Sequence, residues 1–227
     1  MIQRDFNEVL TEYRNFFPDS PFLETWIPRQ KFLRAEVDRA GSISISREDR
    51  GVYGVALGPN PIIGEDWKSF SIESQSIHLV PETYVLHDEW DCYWAPTIAD
   101  SIDQSESVTD AEIDAFLRAN APKSSVFPGG KEIVQWVQIL EGDHLVAVAA
   151  LCRWESGKVV ISSVATDIAL RGRGLGKELM RKTLIAGHQL GEKSLSLGVM
   201  HQNESAQRLY SAMGFKKMHN FSFFERR

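Results

Sequence analysis

The chain has 227 residues, 43% of them hydrophobic and 25% charged, with a formal net charge of -6. That mixture can bury a core of its own, which excludes disorder as its main character, and the negative total argues against a dedicated nucleic-acid binder. The total hides an asymmetry: residues 1–107 carry 9 basic and 19 acidic side chains, whereas residues 108–227 carry 16 and 12. A strongly acidic half joined to a mildly basic one points to two jobs. Cys92 and Cys152 cannot make a disulfide framework or a zinc cluster, and the histidines show no ligand spacing with them, so no metal site is expected. Met1–Asp5 lacks the basic-then-apolar pattern of a signal peptide, and no apolar run approaches the roughly 18 residues of a membrane span. The expectation is a soluble, cytoplasmic protein.

Taken in chain order, Ile2, Phe6, Val9, Leu10, Tyr13, Phe16 and Phe17 fall at spacings of three and four and predict an amphipathic helix over 2–17, ended by Pro18 and Pro21. Residues 41–97 change character. Short alternating runs at Ser42–Ile45, Gly51–Leu57, Ser69–Val80 and Thr83–Leu86, broken by Pro59, Pro61, Gly64 and Pro81, predict several short strands. Trp67, Trp90, Tyr93 and Trp94 enrich this stretch in aromatics, for which packing is the favoured role over a ligand cage. Asp100–Thr109 is a polar linker, and a domain boundary is placed near residue 106. Thr109 or Asp110 then caps a helix whose buried stripe is Ile113, Phe116 and Leu117.

Beyond Lys131 the pattern sharpens. Glu132–Leu140, Leu145–Cys152 and Lys158–Ala165 read as three strands joined by short turns, an antiparallel meander. The period then switches to helical over Leu175–Leu190. Ser194–Val199 is a further strand, Asn203–Met213 a helix stopped by Gly214, and Phe215–Glu225 one or two strands. A helix between two strands requires a parallel pairing, so the sheet is mixed.

The chemistry concentrates at Arg171-Gly172-Arg173-Gly174-Leu175-Gly176, between the third strand of the meander and the long helix. Glycines let the backbone approach a ligand and turn N–H groups inward, and the helix start adds partial positive charge. Arg171, Arg173 and Lys177 add formal charge, so the loop suits a diphosphate; a glycine-rich structural turn is the rival reading. It is neither a Gly-x-Gly-x-x-Gly dinucleotide loop nor a Walker loop, because the glycines are evenly spaced and Arg171 and Glu178 stand where glycine and Ser or Thr are needed.

Val164-Ala165-Thr166, then Arg171-x-x-Gly174-x-Gly176, then Asn203-x-x-Ala206-x-x-Leu209-Tyr210-x-x-x-Gly214-Phe215 together resemble the GNAT (Gcn5-related N-acetyltransferase) superfamily over roughly residues 109–227. The Pro122, Pro128-Gly129 and Trp136 region is similar to a bacterial branch with an extra N-terminal segment. The resemblance implies an α+β chain with a mixed, mostly antiparallel sheet flanked by helices, the acyl-CoA N-acyltransferase fold, over 106–227. An α+β segment, which a degenerate second copy would explain, precedes it over 1–105.

It further implies an N-acetyltransferase that uses acetyl-CoA as co-substrate and no metal. The backbone of Arg171, Gly172, Arg173, Gly174, Leu175 and Gly176 would hold the diphosphate. Val164, Ala165 and Thr166 would pair with the pantetheine as an added strand, between strands that splay to admit the thioester, and Asn203 would contact the cofactor arm. Tyr210 would protonate the departing thiolate. Each has a plainer rival: Tyr210 shares a helical face with Ala206, Leu209 and Met213, and Asn203 is also a good helix cap. The general base is left open among His201, Glu132, Glu141, Asp143 and Glu155.

The implied partner is an amine, small molecule or protein, with no nucleic acid and no membrane; a homodimer is among the assemblies allowed. The alternative is a CoA-binding or regulatory protein without catalytic activity. An acidic first half would favour a cationic amine by electrostatic steering.

Overall fold

The computed structural model describes residues 5–102 and 108–227. In chain order the elements are α1 (Phe6–Phe16), α2 (Phe22–Trp26), β1 (Phe32–Val37), β2 (Ile43–Glu48), β3 (Val52–Leu57), β4 (Ser69–Glu73) and β5 (Tyr84–Pro96). These are followed by α3 (Asp110–Asn120), β6 (Ile133–Glu141), β7 (His144–Arg153), β8 (Val159–Thr166), α4 (Leu175–Gln189), β9 (Ser194–Met200), α5 (Glu204–Ala212) and β10 (Lys216–Arg226). They form two compact units. The first comprises Met1–Cys92, Gly198–Glu204 and Lys217–Arg227; the second comprises Tyr93–Leu197 and Ser205–Lys216. The boundary expected near residue 106 lies outside the described residues.

In the first unit, α1 starts at a capping box. Asp5 Oδ1 accepts the Asn7 and Glu8 N–H groups at 2.7 and 3.0 Å, and the Glu8 carboxylate accepts the Asp5 N–H at 3.1 Å. Its stripe of Phe6, Val9, Leu10 and Tyr13 is buried, together with Phe22 and Leu23 of α2, against Ile43 and Ile45 of β2 and Phe221 of β10. Full burial of each large apolar side chain is worth about 1.5–3 kcal/mol. Residues 2–4 of the expected helix lie outside the described residues. β1, β2 and β3 form an antiparallel meander, β4 runs parallel to β3 with Val55 opposite Ser71, and β10 pairs antiparallel with β4 with Phe221 opposite Glu73.

Two expectations for this stretch are corrected. The strand expected over Ser69–Val80 ends at Glu73 and turns into a 3-10 helix at Ser74–Leu79. The buried Ser76 hydroxyl donates to the Gly58 carbonyl at 2.7 Å, which rewards the turn rather than further strand. The short strand expected over Thr83–Leu86 is the start of a longer one, the 13-residue β5.

In the second unit, α3 is also capped by a box, Thr109 with Glu112, and buries Ile113 and Leu117. β6, β7 and β8 form the expected meander. The Gly142–Asp143 turn joins Glu141 to His144, with Gly142 at φ +61°. β9 runs parallel to β8, registered at Val160 opposite Ser196, with α4 as the crossover. The sheet is mixed, mostly antiparallel and flanked by helices.

Each unit therefore repeats one strand pattern: three antiparallel strands, then a fourth parallel to the third. The connections to the fourth strand differ. Residues 58–68 in the first unit contain no helix, whereas residues 167–193 in the second contain the glycine loop and α4.

Candidate active site

The second unit holds the loop singled out in the sequence. Arg171, Gly172, Arg173 and Gly174 are exposed, and α4 begins at Leu175 with Gly174 as its N-cap. Gly172 and Gly174 have φ +84° and +88°, a left-handed conformation that costs an L side chain about 1–2 kcal/mol. No atom lies within 4 Å of where a Cβ would stand at either position. These glycines thus serve backbone conformation and an open approach to the loop, as a cradle for a bulky anion requires. Gly174 C=O accepts the first-turn N–H groups of Lys177 and Glu178 at 3.0 and 3.2 Å. Gly176 has a packing role instead: its Cβ would stand 3.1 Å from Leu209 Cδ2, so its absence lets α4 approach α5. Arg173 is not purely solvated, because its guanidinium pairs with Glu141 of β6 at 2.9 Å. The loop therefore offers an unobstructed backbone beside cationic side chains, a combination that suits an anion.

Val164, Ala165 and Thr166 end β8 at an irregularity the sequence did not reveal. Val148 pairs with Ala165 and Ala150 with Ser162, leaving Ser163 and Val164 together opposite Ala149. This is a β-bulge, with Ser163 at φ +49°. The Ser163 hydroxyl holds it, donating to the Val126 C=O at 2.7 Å and accepting the Val126 N–H at 3.1 Å. A serine in the left-handed region is strained by its own conformation, and two side-chain hydrogen bonds offset that cost. Bulges re-aim backbone groups, and this one includes Val164, the first residue of the segment expected to pair with the pantetheine.

Tyr210 is 5% exposed, with ring centroids 6.1 Å from Tyr93 and 5.7 Å from Phe215. Burial pushes its phenol well above the ordinary 10.0, so it carries its proton at neutral pH. Both readings of Tyr210, core aromatic and proton donor, are compatible with this burial. Asn203 lies in the first unit, in the turn after β9, where its N–H donates to the Met200 C=O at 2.9 Å. His201, in the same turn, is also in the first unit and meets a residue that sequence reasoning missed. Asp91, inside the aromatic-rich run of β5, is fully buried and accepts from His201 Nδ1 at 3.3 Å. An acidic residue flanked by Trp90 and Cys92 was the available signal. Of the other candidate bases, Glu141 is occupied by Arg173.

Cys92 and Cys152 are free and buried, and burial pushes the Cys152 thiol up to about 11. Among the described residues, no group of three or more His, Cys, Asp or Glu side chains is placed to hold a metal, and no helix is long and apolar enough to cross a membrane.

A mixed sheet whose parallel crossover begins in a glycine-rich, basic helix start is the architecture of acyl-CoA-dependent acetyltransferases. Residues 86–215 match the acetyltransferase (GNAT) family, and the chain belongs to that family. The match takes in β5 as well as α3 to α5.

Among curated proteins, the human N-acetylaspartate synthetase is 31% identical over 83 residues, covering 37% of this chain and 28% of that protein. The Xenopus tropicalis protein of the same name is 35% identical over 81 residues, 36% of this chain and 30% of that one. The matches thus span less than a third of these relatives' own length. Among solved structures, a GCN5-related N-acetyltransferase from Sphaerobacter thermophilus aligns with TM-score 0.59 at 14% identity, covering 96% of this chain and 90% of that one. Another from Kribbella flavida aligns with TM-score 0.53 at 14% identity, covering 85% and 89%. These likenesses show a shared fold.

Proposed function

We propose that this chain is an N-acetyltransferase that moves the acetyl group of acetyl-CoA to a primary amine by direct attack. The observation that carries the reading is the Gly172–Gly174 loop at the start of α4, left-handed and open, in a chain of the GNAT family. Acetyl-CoA supplies an activated thioester. The loop backbone from Arg171 to Gly176 holds its diphosphate, with Arg171 and Lys177 adding charge. Val164, Ala165 and Thr166 pair with its pantetheine beside the bulge, and Asn203 contacts its arm. The neutral amine's lone pair forms the new C–N bond as the C–S bond breaks onto sulfur, and Tyr210 gives that sulfur its proton. The nitrogen's second proton restores the phenol. A buried phenol that stays protonated suits this role.

The names of the curated relatives make L-aspartate and other amino acids the first acceptors to try, alongside polyamines and a lysine peptide. A cytoplasmic location belongs to the same reading. So does the division into an N-terminal segment over 1–105 and an acetyltransferase part over 106–227. The repeated strand pattern supports a degenerate copy of the fold in that N-terminal segment.

Thiol release from acetyl-CoA by the full chain, measured across this amine panel with calorimetry for CoA binding, tests the proposal. Turnover of at least one amine is expected. Absence of both turnover and acetyl-CoA binding overturns it, and tight binding without turnover on any amine identifies a regulatory CoA-binding protein instead.

A further inference from the structure

The first unit carries a polar cleft on the face of β1 and β2 turned away from α1. Ala35, Ile43 and Ile45 of these strands pack into the core with Phe6 and Val9 of α1. The residues that alternate with them, Arg34, Glu36, Ser44 and Ser46, therefore face the other way. In the second unit a helix, α4, packs on β6 and β7. The first unit has no helix between β3 and β4, and residues 58–68 cross the sheet instead, with Trp67 against Gly54 of β3. They leave a cavity of about 30 Å³ that opens to solvent, with Arg34, Glu36, Ser44, Ser46 and Trp67 in its wall. That is room for about two water molecules.

Its hydrogen bonding is unfilled on both sides. Ser44 Oγ accepts the Ile62 N–H and Ser46 Oγ accepts the Trp67 Nε1–H, both at 2.8 Å. The two serines are 8% and 3% exposed, and among the described residues neither hydroxyl finds an acceptor for its own proton. Buried donors without a partner are costly, so an acceptor from outside is favoured. Glu36 stands opposite Ser44 in the β1–β2 pairing, and its carboxylate has no ion pair or hydrogen bond among the described residues. Arg34, opposite Ser46, is paired with Asp66. Those two charges balance, which leaves the cleft with the negative charge of Glu36.

A lone anion would meet Glu36, and a lone cation would leave both hydroxyl protons without an acceptor. A carboxylate and an ammonium on one small molecule satisfy both sides. Residues two apart on a strand stand about 6.7 Å apart. A carboxylate taking one hydrogen bond on each oxygen spans that gap.

We propose that this cleft binds the head group of a small neutral α-amino acid. The ligand's carboxylate accepts from the Ser44 and Ser46 hydroxyls beside the Arg34 guanidinium, its ammonium donates to Glu36, and its side chain points to solvent. The site belongs to the first unit alone and does not depend on acetyl transfer.

Heteronuclear NMR of the full chain, titrated with glycine, tests it through two reporters in the cleft, the Trp67 indole N–H and the Ile62 amide. Both should shift and saturate. Acetate and methylammonium each carry one of the two charges and should bind at least about tenfold more weakly. Glu36→Gln should weaken glycine binding about tenfold or more, and Ser44→Ala, which keeps the charge, several-fold, with the rest of the spectrum unchanged. Glycine shifts that do not saturate, or that neither variant alters, overturn the site. Acetate or methylammonium binding as tightly as glycine overturns the amino-acid assignment. Either result leaves acetyl transfer standing, because no turnover enters the measurement.

Discussion

Glu73 Oε1 and His219 Nδ1 stand 2.8 Å apart, with their side chains 8% and 0% exposed. Phe221 is the residue opposite Glu73 in the β4–β10 pairing, so His219 is its diagonal neighbour on the same face. The contact extends both ways. His219 Nε2 is 2.8 Å from the Tyr13 hydroxyl, which lies 2.5 Å from Ser20 Oγ, and Glu73 Oε2 accepts the Gly58 N–H at 2.6 Å. One polar chain thereby ties α1 and the turn after it to β4 and β10. His219→Leu would leave the carboxylate buried without its partner and should cost on the order of 3–5 kcal/mol. The double variant with Glu73→Gln should lose less than His219→Leu alone. Urea unfolding of the three proteins provides the comparison.

The same carboxylate makes stability depend on pH. Burial pushes the Glu73 carboxyl upward, but the hydrogen bond and charge of His219, with the Gly58 N–H and the Gln75 amide, outweigh it and hold the group below its ordinary 4.5. A folded-state value lower than the unfolded one means that the stabilisation is fully present above pH 4.5 and is lost as pH falls below it. Urea midpoints should therefore decline below that pH in the wild type, and Glu73→Gln should flatten that part of the curve.

At the glycine loop, Gly172→Ala and Gly174→Ala add a methyl group that meets nothing but forces a left-handed alanine. Each should destabilise the chain by about 1–2 kcal/mol at most. Acetyl-CoA binding should weaken at least tenfold, since the methyl intrudes on the backbone approach. Calorimetry beside thermal unfolding separates the two effects.

Tyr210→Phe retains the ring contacts with Tyr93 and Phe215 and removes only the hydroxyl. Thiol release should slow by about 100-fold or more, with acetyl-CoA affinity changed less than threefold. Equal loss in both would assign Tyr210 to packing.

Gly187 faces Leu195, where a Cβ would stand 2.6 Å from Leu195 Cδ1. Gly187→Ala should cost about 1–3 kcal/mol because α4 must lift from β9. Combined with Leu195→Ala, the total should fall short of the sum of the single changes, since the second removes the atom that crowds the first.

The second half of the chain was legible in the sequence because its signals are local. A period-two meander with Gly142 and Gly157 at its turns, a glycine loop, and a 3.6-period helix closed by Gly214 each declare themselves within a few residues. The first half declared less. α2 has five residues and β1 six, too short to show a period, and Ser74–Leu79 alternates like a strand while its hydroxyls reward a 3-10 turn.

The loop residues, Val164–Thr166, Asn203 and Tyr210 were proposed from a family resemblance whose motifs lie on consecutive elements. Tertiary structure decided the rest. The bulge at Ser163 depends on Val126, 37 residues away, and the Asp91–His201 contact spans 110 residues. Sequence patterning reports which side of an element is apolar, but a polar contact between distant residues leaves no period. Asp91 reads as an interruption of an aromatic strand until the fold brings Lys217 and His201 to it.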